Sequence, residues 1–177
     1  MADNMRAVSI GEIVTSAAAQ DVLVAYGLGS CVAICLYDHV TRVGGMLHAL
    51  LPSAPDGGSS GNGRKPPSGK FVDQGTRMLI EAVLKQGAQR SSLVAQLCGG
   101  AQTLSALGLQ DDVLNIGTRN VQAAREALYA ERIWIRAHAT GGNIGRTVRL
   151  YIIDGQVTVK SLGQGVQVLV LALDGEA

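Results

Sequence analysis

From Val32 to Tyr37 the chain is apolar at every position. A strand with one face in water alternates apolar and polar side chains. An unbroken run of this length fits a strand buried on both faces. Such a strand needs packing layers on either side, so it predicts a layered fold. Asp38 to Arg42 is polar and turn-like, and Val43 to Leu51 is apolar again. The pattern predicts a hairpin in which the strand that follows Cys31 pairs with the strand that carries His48.

The rest of the chain supplies those layers. Arg6 to Ile10 and Val22 to Ala25 read as short strands separated by a turn region. Lys70 to Lys85 carries Phe71, Met78, Leu79, Ala82 and Val83 at helical spacing, and Gly87 is a natural stop. Ser92 to Cys98 reads as a strand, and Asn120 to Tyr129 as a second helix entered through Ile116 to Arg119. Ile133 to Ala139, Thr147 to Ile153 and Val157 to Leu162 alternate as antiparallel strands do. Asp154-Gly155 is a hairpin turn between the last two, and Val166 to Leu173 is a final strand. Many strands with two main helices predict an α+β fold, a layered sandwich with a mixed or mostly antiparallel sheet. No linker or repeat interrupts residues 1–177, which read as a single domain.

Ser53 to Gly69 is the clearest loop. All four prolines lie between Pro52 and Pro67, among five glycines, Gly57, Gly58, Gly61, Gly63 and Gly69. A loop of this length in a compact domain is usually functional or disordered. It starts shortly after His48, which predicts a mobile segment that covers substrate.

Composition excludes several classes. The net charge is +1, which offers no attraction to nucleic acid or to an anionic membrane. One Trp and one Phe leave little for base stacking. No run approaches the roughly 20 apolar residues of a membrane span. Three cysteines without a secretion signal do not make a disulfide scaffold, and a reduced, cytoplasmic protein is expected.

The chemistry concentrates at Gly27-Leu28-Gly29-Ser30-Cys31-Val32 and at His48. The glycines allow a sharp turn, here read as an exposed one that presents a thiol. A nearby histidine can take the thiol proton and leave the nucleophilic thiolate. That pair is the minimum equipment for acyl transfer and calls for no cofactor. Each residue also has a plain reading, since a cytosolic cysteine is commonly a small core hydrophobe and a strand histidine a satisfied core residue. Cys35 and Cys98 read as core, His39 as solvated and His138 as a weaker base. Cys31, Cys35 and His39 would share a face only on a helix, and no Cys-x-x-Cys pair exists, so no metal is expected. Gly27-x-Gly29 lacks the third glycine of a dinucleotide loop, because Val32 stands there. Gly141 to Arg146 reads as a tight connection between strands, with an anion site as its alternative. Arg119 and Asn120 read as a helix-entry network.

Taken together, these motifs resemble the CheD family of chemoreceptor glutamine deamidases, from about Ile10 to Leu162. Leu28-Gly29-Ser30-Cys31-Val32 is similar to the family's nucleophile motif, and His48 with Leu51-Pro52 to its histidine motif. Lys70-Phe71-Val72-Asp73, Gly99-Gly100-Ala101, Ile116-Gly117-Thr118-Arg119-Asn120 and Gly141 to Arg146 follow in the family's order.

The resemblance implies hydrolysis of glutamine side-chain amides on methyl-accepting chemotaxis receptors through a cysteine thioester. It implies Cys31 as nucleophile and His48 as base, with a CheC-type phosphatase as partner. It also implies a fold similar to that of cysteine-dependent deamidase toxins. The turn could aim the backbone amides of Ser30 and Cys31 at a developing oxyanion. The family commonly carries a threonine six residues before the cysteine, where this chain has Ala25. Alanine cannot orient His48, so restoring threonine is expected to raise activity on the order of tenfold. Two other readings stay open. One is a non-catalytic regulator that binds a CheC-type phosphatase, and the other is a cysteine hydrolase of a different amide or ester.

Overall fold

The computed structural model describes residues 3–54, 68–102 and 115–169. Ten strands form two five-stranded sheets. The first sheet runs β1 (Asn4–Ala7), β3 (Asp21–Leu28), β8 (Arg146–Tyr151), β9 (Val157–Ser161), β10 (Val166–Leu169). The second runs β2 (Ile13–Ser16), β5 (Val43–Ala49), β4 (Val32–Asp38), β6 (Leu93–Gly99), β7 (Trp134–Thr140). Both are mixed and mostly antiparallel, with β1–β3 and β6–β7 as the parallel pairs. Helices α1 (Val72–Lys85) and α2 (Ile116–Ala130) lie on the outer face of the second sheet. The architecture is an α+β sandwich of sheet, sheet and helix layers.

The apolar run is the middle of this sandwich. All seven residues of β4 are buried. Val32, Ile34 and Leu36 pack towards the helices, against Leu79, Val83 and Leu128. Ala33 and Cys35 face the other sheet, among Leu23, Ala25 and Val148. Period-two alternation thus serves two cores at once. A fully buried leucine such as Leu36 contributes about 1.5–3 kcal/mol relative to exposure. β5 pairs with β4 as expected, with Val32 opposite Ala49 and Ala33 opposite His48. Asp38 closes the hairpin. Its carboxylate accepts from the Val40 amide, the Thr41 hydroxyl and the Gln89 amide. Burial works against its charge, but the Ser92 hydroxyl together with these donors wins and holds it below the usual carboxylate range.

Two expectations need correction. The stretch read as a turn region holds a strand, β2, antiparallel to β5. Four residues are too few for alternation to stand out. The segment read as the first of three antiparallel strands is β7, parallel to β6 and in the other sheet from β8 and β9. The intervening α2 makes β6–α2–β7 a crossover, which antiparallel neighbours do not need. The β8–β9 hairpin around Asp154-Gly155 is as expected. The expected mobile loop falls largely on residues 55–67, outside the described residues. So does the end of the final strand beyond Leu169. Among the described residues, no helix is long and apolar enough to cross a membrane.

Candidate active site

The chain passes from the first sheet to the second between the end of β3 and the start of β4. Gly27, Gly29, Ser30 and Cys31 lie at this crossing. Gly27 takes φ 65, a left-handed conformation that glycine adopts without penalty. Gly99 at the end of β6 lies so close that a Cβ on it would stand 2.3 Å from the Cys31 carbonyl oxygen. No other residue fits there. The glycine-rich block after β6 is therefore a bed for the Cys31 turn.

The turn is held by its carbonyls. The Gly29 carbonyl accepts from the Ala101 amide at 2.7 Å, and the Cys31 carbonyl from the Gly100 amide at 2.8 Å. Between them, the Ser30 carbonyl accepts from Asn120 Nδ2 at 2.8 Å. Three successive peptides are thus fixed from one side.

Cys31 is not presented to solvent as expected. Gly27 is exposed, but Gly29 and Ser30 are half-buried and Cys31 is only 7% exposed. The reason is the crossing itself, which packs against the ends of β6 and α2 and does not bulge outward. Burial pushes the Cys31 thiol above its ordinary value, and its own backbone amide pulls part of the way back.

His48 sits on β5 and faces the inter-sheet layer, as Ala33 and Cys35 do. Val32 opposite Ala49 places Cys31 and His48 at the same end of the hairpin. The ring is 3% exposed. Its backbone is pinned by the N-terminal segment. The Gly11 amide donates to the His48 carbonyl at 2.7 Å, and the His48 amide to the Glu12 carbonyl at 3.2 Å.

His48 also has a partner that no side chain supplies. Nδ1 lies 3.0 Å from the Val8 carbonyl oxygen. A carbonyl can only accept, so Nδ1 carries the proton and Nε2 is left with a free lone pair. Nε2 is buried without a hydrogen-bond partner. Burial lowers the imidazole pKa from its ordinary 6.5, while the Val8 carbonyl opposes that shift. No hydrogen bond joins Nε2 to the Cys31 sulfur in this state. Such bonds commonly tighten only once substrate is bound.

The remaining candidates sort cleanly. Cys35 and Cys98 are free, fully buried between the sheets, and pushed up by burial, Cys98 to about 12. Both belong to the core. His39 and His138 are exposed. Gly141 to Arg146 joins the two sheets. The Arg146 guanidinium donates to the Gly99 and Gly141 carbonyls, which favours the structural reading of that motif. Asn120, by sequence a helix-entry residue, reaches the crossing and also donates to the Leu50 carbonyl at 2.9 Å. Its place in Ile116-Gly117-Thr118-Arg119-Asn120 was the available signal.

The family model described as "CheD chemotactic sensory transduction" matches residues 50–161. A protein of Symbiobacterium thermophilum named "Probable chemoreceptor glutamine deamidase CheD" is 42% identical over 161 residues, covering 91% of this chain and 94% of its own. Proteins of the same name from Caldanaerobacter subterraneus and Pyrococcus abyssi are 44% and 45% identical. They cover 82% and 81% of this chain, and 86% and 83% of their own lengths. With a family match over most of its length and relatives this similar, the chain belongs to the CheD family.

Proposed function

We propose that this protein hydrolyses glutamine side-chain amides on chemotaxis receptors, with Cys31 as nucleophile and His48 as general base. The observation that carries the reading is the state of His48. Its Nδ1 proton is committed to Val8, and its Nε2 lone pair is uncommitted at the hairpin end that holds Cys31. The relatives' names supply the substrate class.

The chemistry follows from two neutral partners. Burial disfavours both the thiolate and the imidazolium, so the proton leaves sulfur as attack proceeds. The sulfur forms a bond to the amide carbon, and Nε2 takes the thiol proton. Negative charge moves to the amide oxygen, where the Ser30 and Cys31 amides can donate. Neither amide donates to a backbone carbonyl among the described residues. The carbon–nitrogen bond then breaks, and Nε2 returns the proton to departing ammonia. Water attacks the thioester, gives its proton to Nε2, and releases glutamate. Cys31 recovers its proton from the imidazolium. The reaction needs no cofactor. We place it in the cytoplasm, where thiols stay reduced, with a CheC-type phosphatase as partner and no role in binding nucleic acid or inserting into a membrane.

Mass spectrometry of a receptor cytoplasmic fragment incubated with the protein tests this. Conversion of specific glutamines to glutamate, with matching ammonia release, is the expected result. Receptor binding without conversion would leave the non-catalytic regulator as the better reading.

The Val8 carbonyl also changes what Ala25 means. The orienting role that threonine would fill is already occupied. Ala25 is fully buried in the inter-sheet core, where extra atoms cost about 1–3 kcal/mol. Ala25→Thr is therefore expected to bring no gain in kcat/KM and a lower melting temperature. A tenfold gain in a well-folded variant would show that Val8 does not hold the ring in the productive state.

A further inference from the structure

Asn120 is the fifth residue of α2 and is fully buried. Its Nδ2 donates to the Ser30 carbonyl and to the Leu50 carbonyl. Both acceptors are backbone oxygens, so the amide orientation follows from its partners. A flipped carboxamide would set three oxygens against one another. The helix can come this near because residue 117 is glycine. A Cβ there would stand 2.6 Å from the Gly100 oxygen and 2.9 Å from the Ala101 oxygen.

The two carbonyls matter for what lies across their peptides. In a trans peptide, C=O and N–H lie in one plane and point in opposite directions. Whatever holds the Ser30 oxygen therefore fixes where the Cys31 N–H points. That N–H is the group that favours the Cys31 thiolate. The second acceptor, Leu50, lies two residues beyond His48. One carboxamide thus ties the nucleophile's peptide to the base's strand across the open end of the hairpin. Asn120 Oδ1 is buried with no partner. A tie that served packing alone would gain nothing by burying an unpaired acceptor.

We propose that Asn120 is a positioning residue for the deamidation. It aims the Cys31 amide at the oxygen that becomes negative and sets the Cys31 strand against that of His48. The proposal rests on the reading of Cys31 and His48 given above. Because the charge appears only in the transition state, the effect falls on kcat and not on KM.

Two variants test it. Asn120→Leu keeps the volume without the donors, and Asn120→Asp keeps the shape with acceptors only. Each is expected to lower kcat about 100-fold, the effect of a lost or misdirected oxyanion donor, with KM within about threefold. The Cys31 amide resonance should follow the thiol titration in the parent protein and cease to do so in the variants. A kcat within about threefold of the parent, per folded molecule, would overturn the proposal. If neither variant folds, the parent protein decides. Alkylation of Cys31 should shift the Asn120 side-chain amide resonance, and an unmoved resonance would overturn it. Cys31→Ala separates the two claims. If that variant is inactive while Asn120→Leu is fully active, only the role of Asn120 fails. If Cys31→Ala is active, the reading of the site fails, and this proposal with it.

Discussion

Cys31→Ala is expected to lower glutamine deamidation by on the order of 10⁶, to the background of the assay. No second thiol can substitute. Cys35 and Cys98 are buried between the sheets, and burial holds both far from the thiolate form. The fold should survive, since the loss is a single sulfur at a turn held by its backbone, a cost of about 1 kcal/mol. The carbonyl bonds that hold the turn involve backbone atoms and Asn120, none of which the substitution removes. Ammonia release and a thermal melt, measured on the same preparation, check both halves. Cys35→Ala is the control. It opens a small cavity in the inter-sheet core, so it should melt lower and still turn over. Undiminished ammonia release from Cys31→Ala would remove Cys31 as the nucleophile.

His48→Ala is expected to lower kcat/KM by about 10²–10⁴-fold, the range of a general acid–base group. Iodoacetamide labelling of Cys31 in the free protein should change far less, within about threefold, because thiolate content governs it. In this structure that content depends on burial and on the Cys31 amide, with no bond from His48. Labelling should rise with pH through a midpoint above the ordinary 9.0 of a thiol. The acid limb of turnover should lie below 6.5, because burial lowers the His48 pKa and keeps the ring neutral to lower pH. As pH falls through that lowered value, Nε2 gains a proton and the base is lost. If labelling slowed in step with turnover, a thiolate–imidazolium pair would already exist in the free enzyme. His48→Gln, which keeps most of the volume, guards against an effect of the cavity alone.

Patterns within one segment were legible without coordinates. The apolar run and polar turn around Asp38 specify the β4–β5 hairpin, because alternation and its absence report burial directly. Helical spacing and Gly87 specify α1 in the same way, and Asp154-Gly155 the β8–β9 turn. Cys31 and His48 could be paired in advance because only a tight turn separates their strands. Even so, periodicity does not say which neighbour a strand takes. It left β7 beside β8 in expectation, whereas the α2 crossover makes it a parallel partner of β6.

Tertiary structure alone decided how the site is wired. The group that orients His48 is the Val8 carbonyl, 40 residues away, and every residue carries a carbonyl, so nothing in the residue type marks it. Asn120 meets Ser30 and Leu50 across separations of 90 and 70 residues. Those contacts exist only once β6, α2 and the hairpin have packed. The burial of Cys31 is of the same kind. Its glycine-rich neighbourhood suggests an exposed turn, but Gly99 on β6 and Gly117 on α2 let those two elements close against it. A glycine signals close approach and freedom of turn equally, and only the packed chain shows which of the two it provides.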